Sequence, residues 1–157
     1  MTTNRWVSGQ NLVRLIPVDG DNFLECSQLP TGEDRKHLGP IEKAIAQAQL
    51  WPGSSSCCIY HGDEMVGYTL YGPQEEDGRL YIWVNYLLIA EGQRGKGYGR
   101  AALQQIIAEA HRQNCMEVAL RTPLDNFNAI RMYESLGFHA TEMEDNGMCY
   151  VFSLQAG

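Results

Sequence analysis

Residues 93–100 read Gln-Arg-Gly-Lys-Gly-Tyr-Gly-Arg and form the most informative stretch of the sequence. It follows an apolar run over 79–90, whose aromatic and β-branched side chains predict a buried strand. It leads into an amphipathic helix over 100–111, whose apolar face consists of Leu103, Ile106, Ile107 and Ala110. A glycine-rich turn between a strand and a helix presents unpaired N–H groups at the positive end of the helix dipole. The stretch therefore predicts a phosphate-binding loop.

Three phosphate-binding patterns can be compared with this loop. A P-loop requires a lysine where this chain has Tyr98, so that pattern fails. A dinucleotide fingerprint can be read over 97–102, but it requires an acidic residue at the end of the next strand, which is absent. The pattern [RQ]-x-x-G-x-[GA] is matched in full by Arg94, Gly97 and Gly99.

The elements on either side of the loop predict one α/β (α+β) domain over residues 1–157. The order is βααβββαβαββ, and the parallel strands on either side of the central helix imply a mixed sheet flanked by helices. The predicted elements are a strand at 11–18, helices at 19–29 and 41–51, strands at 56–61 and 65–71, a loop at 71–78, a strand at 116–121, a helix from 125 or 126 to 136, and two strands around 146–147.

Composition restricts the function classes. The 157 residues include 44% hydrophobic and 20% charged residues, and the net charge of −7 argues against binding to nucleic acid or an anionic membrane. No apolar run reaches the roughly 18 residues that span a bilayer, and the N-terminus lacks a signal-peptide pattern, so a cytosolic protein is expected. Five cysteines without a C-x-x-C pair, and histidines without metal-ligand spacing, predict no metal site.

A second motif lies in residues 126–138, which read Asn-Phe-Asn-Ala-Ile-Arg-Met-Tyr-Glu-Ser-Leu-Gly-Phe. Together with the glycine loop, the run over 84–138 resembles the GNAT superfamily of acetyl-CoA-dependent N-acetyltransferases. The resemblance implies the acyl-CoA N-acyltransferase fold, with a sheet that opens around 84–90 and 116–121. It also implies acetyl-CoA as cosubstrate, and we further expect a homodimer.

The resemblance implies that the coenzyme contacts strand backbone, the loop and the second motif. The corresponding residues are Leu87, Leu88, Ile89, Arg94, Gly95, Lys96, Gly97, Tyr98, Gly99, Arg100, Asn126 and Tyr133.

Acetyl transfer requires a neutral amine, a polarised carbonyl and a proton for the departing thiolate. Tyr133 lies two helical turns after Asn126, on the same helix face, and the resemblance implies that it is the general acid. A packing role for Tyr133 and a helix-capping role for Asn126 are the structural alternatives. No general base is assigned, because Asn85 cannot accept a proton and Glu91 lies at the strand end.

The N-terminal third is similar to bacterial polyamine and diamine acetyltransferases of the spermidine/spermine type, over residues 13–26, 44–48 and 66–72, whereas residues 37–43 differ from their pattern. We therefore expect a small primary amine as acceptor, with an antibiotic or peptide acceptor and a non-catalytic acyl-CoA sensor as alternatives. Carboxylates that could attract a cation are Asp19, Asp21, Glu25, Glu33, Asp34 and Glu42. Aromatic rings that could contact it are Tyr68, Tyr71, Tyr81 and Trp83.

Overall fold

The computed structural model describes residues 12–32 and 35–154. Within these residues the chain forms seven strands and five helices. The strands are β1 (Arg14–Pro17), β2 (Ser55–His61), β3 (Glu64–Glu76), β4 (Arg79–Ile89), β5 (Glu117–Pro123), β6 (His139–Glu144) and β7 (Gly147–Ser153). The helices are α1 (Phe23–Ser27), α2 (Arg35–Leu38), α3 (Ile41–Ala48), α4 (Tyr98–Arg112) and α5 (Phe127–Leu136).

All seven strands belong to one sheet, in the spatial order β1-β2-β3-β4-β5-β7-β6. Every neighbouring pair is antiparallel except β4 and β5, which are parallel because α4 returns the chain between them. The predicted mixed sheet and the order of its elements are confirmed, and the short helix α2 is an addition to that order.

The parallel strands β4 and β5 separate halfway along β4. They pair over four residues, and Val84 and Leu120 form the last pair. Beyond that pair, and within the described part of the chain, β4 is paired only with β3, and β5 only with β7. The predicted opening of the sheet is therefore confirmed, and it leaves backbone groups on the two facing edges without a strand partner.

A β-bulge at Asn85 lies at the same point of β4. Leu70 and Tyr71 of β3 pair with Tyr86 and Val84, so Asn85 is the extra residue. The bulge reverses the alternation of the strand, because Val84 packs in the core under α4 while Tyr86 packs in the core on the other face. The two halves of β4 thus present opposite sets of side chains to the helices.

Helices cover both faces of the sheet. On one face α4 and α5 pack against the centre of the sheet through Leu103, Ile106, Ile107, Leu136, Ile82, Val84, Val118 and Leu120. On the other face α1 and α3 pack against the sheet through Cys26, Ile41, Ala44, Cys58, Tyr68, Leu70, Tyr86 and Leu88. None of the helices in the described ranges is both long and apolar enough to cross a membrane.

Two local predictions are corrected by the structure. The loop predicted over 71–78 is wrong, because β3 continues through Pro73 to Glu76. Pro73 is tolerated because β2 begins at Ser55, opposite Tyr71, so this part of β3 has no β2 neighbour that needs its N–H.

The helix predicted over 19–29 is shorter than expected. The Asp19 carboxylate accepts hydrogen bonds from the backbone N–H groups of Asp21 and Asn22, at 2.8 and 3.0 Å, and holds a turn before α1 begins.

Candidate active site

The glycine loop joins the open end of β4 to the first turn of α4, as predicted. Gly97 is the N-cap of α4 and has φ +87°. This left-handed conformation is energetically unfavourable for any residue that has a Cβ atom. Within residues 12–32 and 35–154, no side chain caps the helix, so its first N–H groups keep the unpaired positive end that an anion requires. The loop therefore fits a phosphate-bearing coenzyme.

The basic side chains around the loop differ in their contacts. Arg94 donates to the carbonyl groups of Ile89 at 2.9 Å and Thr31 at 2.7 Å, which ties the loop to the segment after α1. Arg100 donates to the Ser135 hydroxyl and so links α4 to α5. Lys96 is exposed and its ammonium lies 3.3 Å from the side-chain oxygen of Gln93. Only Lys96 thus projects from the loop into solvent without holding another element in place.

Tyr98 is buried rather than exposed along the loop. Its ring lies 4.9 Å from that of His61, centroid to centroid, and it packs in a small core with Val13, Ile59 and Val66. The Tyr98 side chain therefore anchors the start of α4, so only the backbone of this residue is available to contact a coenzyme.

The open half of β4 carries the three strand residues that the sequence placed beside the coenzyme. Leu87, Leu88 and Ile89 pair with Thr69, Tyr68 and Gly67 of β3 on one edge. Their side chains pack in the cores on both faces, while their other edge faces the gap left by β5. This exposed edge can hydrogen-bond an extended chain that lies in the gap.

Tyr133 lies on α5, next to the same opening, and Asn126 directly precedes this helix. The Tyr133 ring belongs to the buried cluster that contains Val84 and Leu120, the last pair before the strands separate. Its centroid is 5.9 Å from Phe138 and 6.1 Å from that of Tyr150.

Asn126 occupies the N-cap position of α5, but its side chain makes no capping hydrogen bond. The side-chain capping role that the sequence allowed is therefore not observed in the structure.

A cavity of about 880 Å³ opens on the α3 side of the sheet at the point where β4 and β5 separate. Its floor is formed by residues 83–86 of β4. One wall comes from α3 and the segment before it, and the opposite wall from residues 121–125 and the β6–β7 turn. The cavity therefore reaches the opened strands from the face opposite to α4.

The groups proposed to attract a cationic acceptor lie mostly elsewhere. Asp19 is used in the turn before α1, and Asp21, Glu25 and Glu42 do not line the cavity. Glu33 and Asp34 lie outside the described residues.

Among the aromatic candidates only Trp83 lines the cavity. Tyr68 and Tyr71 are buried in the sheet cores, and burial raises the pKa of both hydroxyl groups. The sequence pattern could not distinguish these core rings from rings that face a ligand.

The two positions considered for a base differ in location. Asn85 lines the cavity at the bulge, whereas the Glu91 carboxylate packs against Gly32, where an added Cβ would meet its oxygen at 2.9 Å. Glu91 is not a cavity residue. The described cavity groups able to accept a proton are His37, Asp125 and Asp145.

The cavity residues missed from the sequence include two cationic ones, Lys43 and Arg121. Arg121 follows the last residue of β5 that pairs with β4, and ligands in sheets with parallel strands bind beyond their carboxyl ends. That rule could have identified it. Lys43 gave no comparable signal, because a lysine on an amphipathic helix is typical of a solvated surface.

The fold and the site define an acetyltransferase family. The model of the Acetyltransferase (GNAT) family matches residues 23–138, and the chain belongs to this family.

Individual relatives are similar over different lengths. Over 95 residues the chain is 30% identical to the spermine/spermidine N(1)-acetyltransferase of Bacillus subtilis, a match that covers 57% of this chain and 62% of that protein. The match thus spans less than two thirds of that curated relative. The ribosomal-protein-S18-alanine N-acetyltransferase of Escherichia coli has a TM-score of 0.70 at 19% identity, with 92% of this chain and 96% of that chain covered. An Arabidopsis thaliana structure in complex with the bisubstrate analogue CoA-Ac-MVNAL has a TM-score of 0.66 at 23% identity, with 89% and 96% covered.

Proposed function

We propose that the protein is an acetyl-CoA-dependent N-acetyltransferase that acts on the primary amine of a small acceptor. The observation that carries the proposal is the separation of β4 from β5 directly before a glycine loop at a helix N-terminus, in a member of the GNAT family. The gap and the loop lie at the same end of β4, so one extended coenzyme can use both.

The loop and the open strand have different tasks in this proposal. The unpaired N–H groups at the start of α4 bind the pyrophosphate, and Gly97 allows its close approach. The free edge at residues 87–89 binds the pantetheine portion by hydrogen bonds and directs the thioester towards the cavity floor. Arg94 and Arg100 hold the loop and the two helices in position.

The reaction is a direct transfer. The amine nitrogen attacks the thioester carbonyl, the C–S bond breaks, and the nitrogen loses a proton while the thiolate sulfur receives one. Tyr133 is proposed as the donor of that proton, because it packs beside Val84 and Leu120, where the strands separate. No residue is assigned as the base, and the acceptor amine can react once it has lost its proton in solution.

A small, flexible amine of the polyamine and diamine kind is the proposed acceptor. The resemblance of the N-terminal third and the name of the Bacillus subtilis relative support this choice. A volume of about 880 Å³ suits such a molecule. Peptide and antibiotic amines are the alternative acceptors, and the experiment below includes both.

Thiol release from acetyl-CoA across a panel of amines tests the proposal. The panel contains putrescine, spermidine, spermine, an aminoglycoside and a short peptide, and mass spectrometry identifies each product. Acetylation of an amine supports the proposal, and the preferred arm identifies the acceptor class. Tight binding of acetyl-CoA without turnover of any amine would contradict it and favour the acyl-CoA sensor.

Three expectations from the sequence stay predictions: the single-domain organisation, the homodimer and the cytosolic location. Sedimentation at several protein concentrations measures whether the protein forms the predicted homodimer. A monomer at all of them would contradict the homodimer.

A further inference from the structure

Lys43 is the cationic side chain of the α3 wall of the cavity. It is exposed and lines the cavity, and among the described residues its ammonium has no hydrogen-bond or ion-pair partner. Intrahelical pairing is unavailable, because the positions three and four residues away are Gly39, Pro40, Ala46 and Gln47. Among the described residues of the same wall, no acidic group therefore compensates the positive charge that Lys43 brings to the cavity.

The opposite wall of the cavity carries more negative than positive charge. It contains Arg121 together with the carboxylates Asp125 and Asp145. The Arg121 guanidinium lies 3.4 Å from both Asp145 and Glu144, so its charge is shared with two acidic groups. Asp125 lies beyond the end of β5 and has no such cation within the described residues.

The cavity is consequently dipolar, although the chain as a whole carries a net charge of −7. A molecule that carries only positive charges would be attracted to the β5 wall and repelled at Lys43. A molecule that carries an amine at one end and an anion at the other matches both walls. The amine would then lie at the wall formed by β5, next to the opened strands, as acetyl transfer requires.

We propose that Lys43 makes this cavity selective for a diamine-sized acceptor that carries a carboxylate in addition to the reacting amine. The inference rests on the proposed acetyl transfer and, among small primary amines, favours a carboxylated diamine over a purely cationic polyamine as the acceptor. Lys43 acts as a specificity-determining residue, since an ammonium can bind a carboxylate by a charge-assisted hydrogen bond.

Matched pairs of amines test this inference. Putrescine and ornithine, like cadaverine and lysine, differ only by one α-carboxylate. For each pair we would measure kcat/KM for thiol release and, by calorimetry in the presence of CoA, the Kd of the amine. The wild-type protein is expected to favour the carboxylated member by about tenfold or more, the effect of one charged hydrogen bond.

Two variants locate the preference. Lys43→Gln should reduce the ratio within each pair to about one, and Lys43→Glu should reverse it. Arg112→Gln removes the same charge at the end of α4, outside the cavity, and should leave the ratio unchanged.

The outcomes distinguish this inference from the proposed activity. Three outcomes would overturn the inference and leave acetyl transfer intact. The protein could acetylate both members of a pair equally well, it could prefer spermidine, or its preference within a pair could be the same in the Lys43 variants. A Lys43-dependent binding preference without turnover would support the inference and contradict acetyl transfer. Neither binding nor turnover of any pair would overturn both.

Discussion

The two halves of β4 belong to one strand but differ in their pairing. From Arg79 to Val84 the strand runs between two neighbours, and four of its residues pair with β5. From Asn85 to Ile89 it has one neighbour among the described strands, and its other edge faces the gap between β4 and β5. The comparison shows that one half of a strand can keep both neighbours while the other half leaves an edge unpaired, and we propose that this edge binds the coenzyme.

The bulge is the boundary between the halves, and deleting Asn85 should have the largest effect. Without the extra residue, Tyr86 and Leu88 would rotate away from the core that they fill. Losing two buried side chains of this size would cost more than about 5 kcal/mol, comparable with the whole stability of a domain. Thermal unfolding followed by circular dichroism should show no cooperative transition.

Asn85→Ala is the matched control for that deletion. The side chain of Asn85 is exposed, so its removal should change the free energy of unfolding by no more than about 0.5 kcal/mol. A stable, cooperative deletion variant would show that the bulge does not set the two faces of β4.

The second prediction concerns the loop that continues the open half. Gly97→Val should weaken acetyl-CoA binding about 100-fold or more, because a β-branched side chain blocks the approach of a phosphate to the backbone. Calorimetric titration with acetyl-CoA measures the change.

Gly78→Val separates strain from binding. Gly78 lies in the β3–β4 turn next to the paired half and has φ +78°, close to the +87° of Gly97. Both variants should lose similar stability, about 1–2 kcal/mol, but Gly78→Val should keep its affinity for acetyl-CoA. Equal loss of affinity in the two variants would remove the loop from the coenzyme site.

The third prediction concerns proton delivery at the opening. Tyr133→Phe should lower kcat about 100-fold, the usual effect of a general acid, with little change in the Kd of acetyl-CoA. Tyr150→Phe, with its ring 6.1 Å away in the same cluster, is the control and should retain activity. If the two variants behaved alike, Tyr133 would be a packing residue.

The fourth prediction is smaller and concerns the missing base. In the open half, Asn85 and Tyr86 line the cavity. An amide cannot accept the proton of an ammonium, and the Tyr86 hydroxyl already donates to the Gly39 carbonyl at 2.8 Å. The kcat/KM should therefore rise about tenfold for each pH unit between 7 and 9, as more of an amine with a pKa near that of lysine becomes neutral. A plateau in kcat/KM within this pH range that is lost in His37→Gln would instead show that His37 is the base.

The sequence predicted the parts of the site that are local in the chain. Residues 93–100 and 126–138 each specify a turn, a cap and a helix through near neighbours, and both lie where they were expected. The order of the strands followed from the hydrophobic pattern and the parallel connection through α4.

The features that depend on pairing between distant residues were not predictable in the same way. The bulge at Asn85 exists because of the register of β4 with β3. Pro73 can lie within β3 because β2 begins opposite Tyr71 and does not extend alongside Pro73. Asp19 reads as a candidate for cation binding until its hydrogen bonds show that it holds a turn. The cavity contribution of Lys43 follows only from the packing of α3 beside the sheet.

Amide hydrogen exchange along β4 tests whether its open half is the edge that binds acetyl-CoA. Amide exchange would be measured by mass spectrometry with and without saturating acetyl-CoA, at the resolution of single peptides. Acetyl-CoA should slow exchange in residues 87–89 and 95–100 and leave residues 80–84 unchanged, because the paired half is already protected by β3 and β5. Equal slowing in both halves, or none at 87–89, would contradict the account that the open half of β4 is the binding edge.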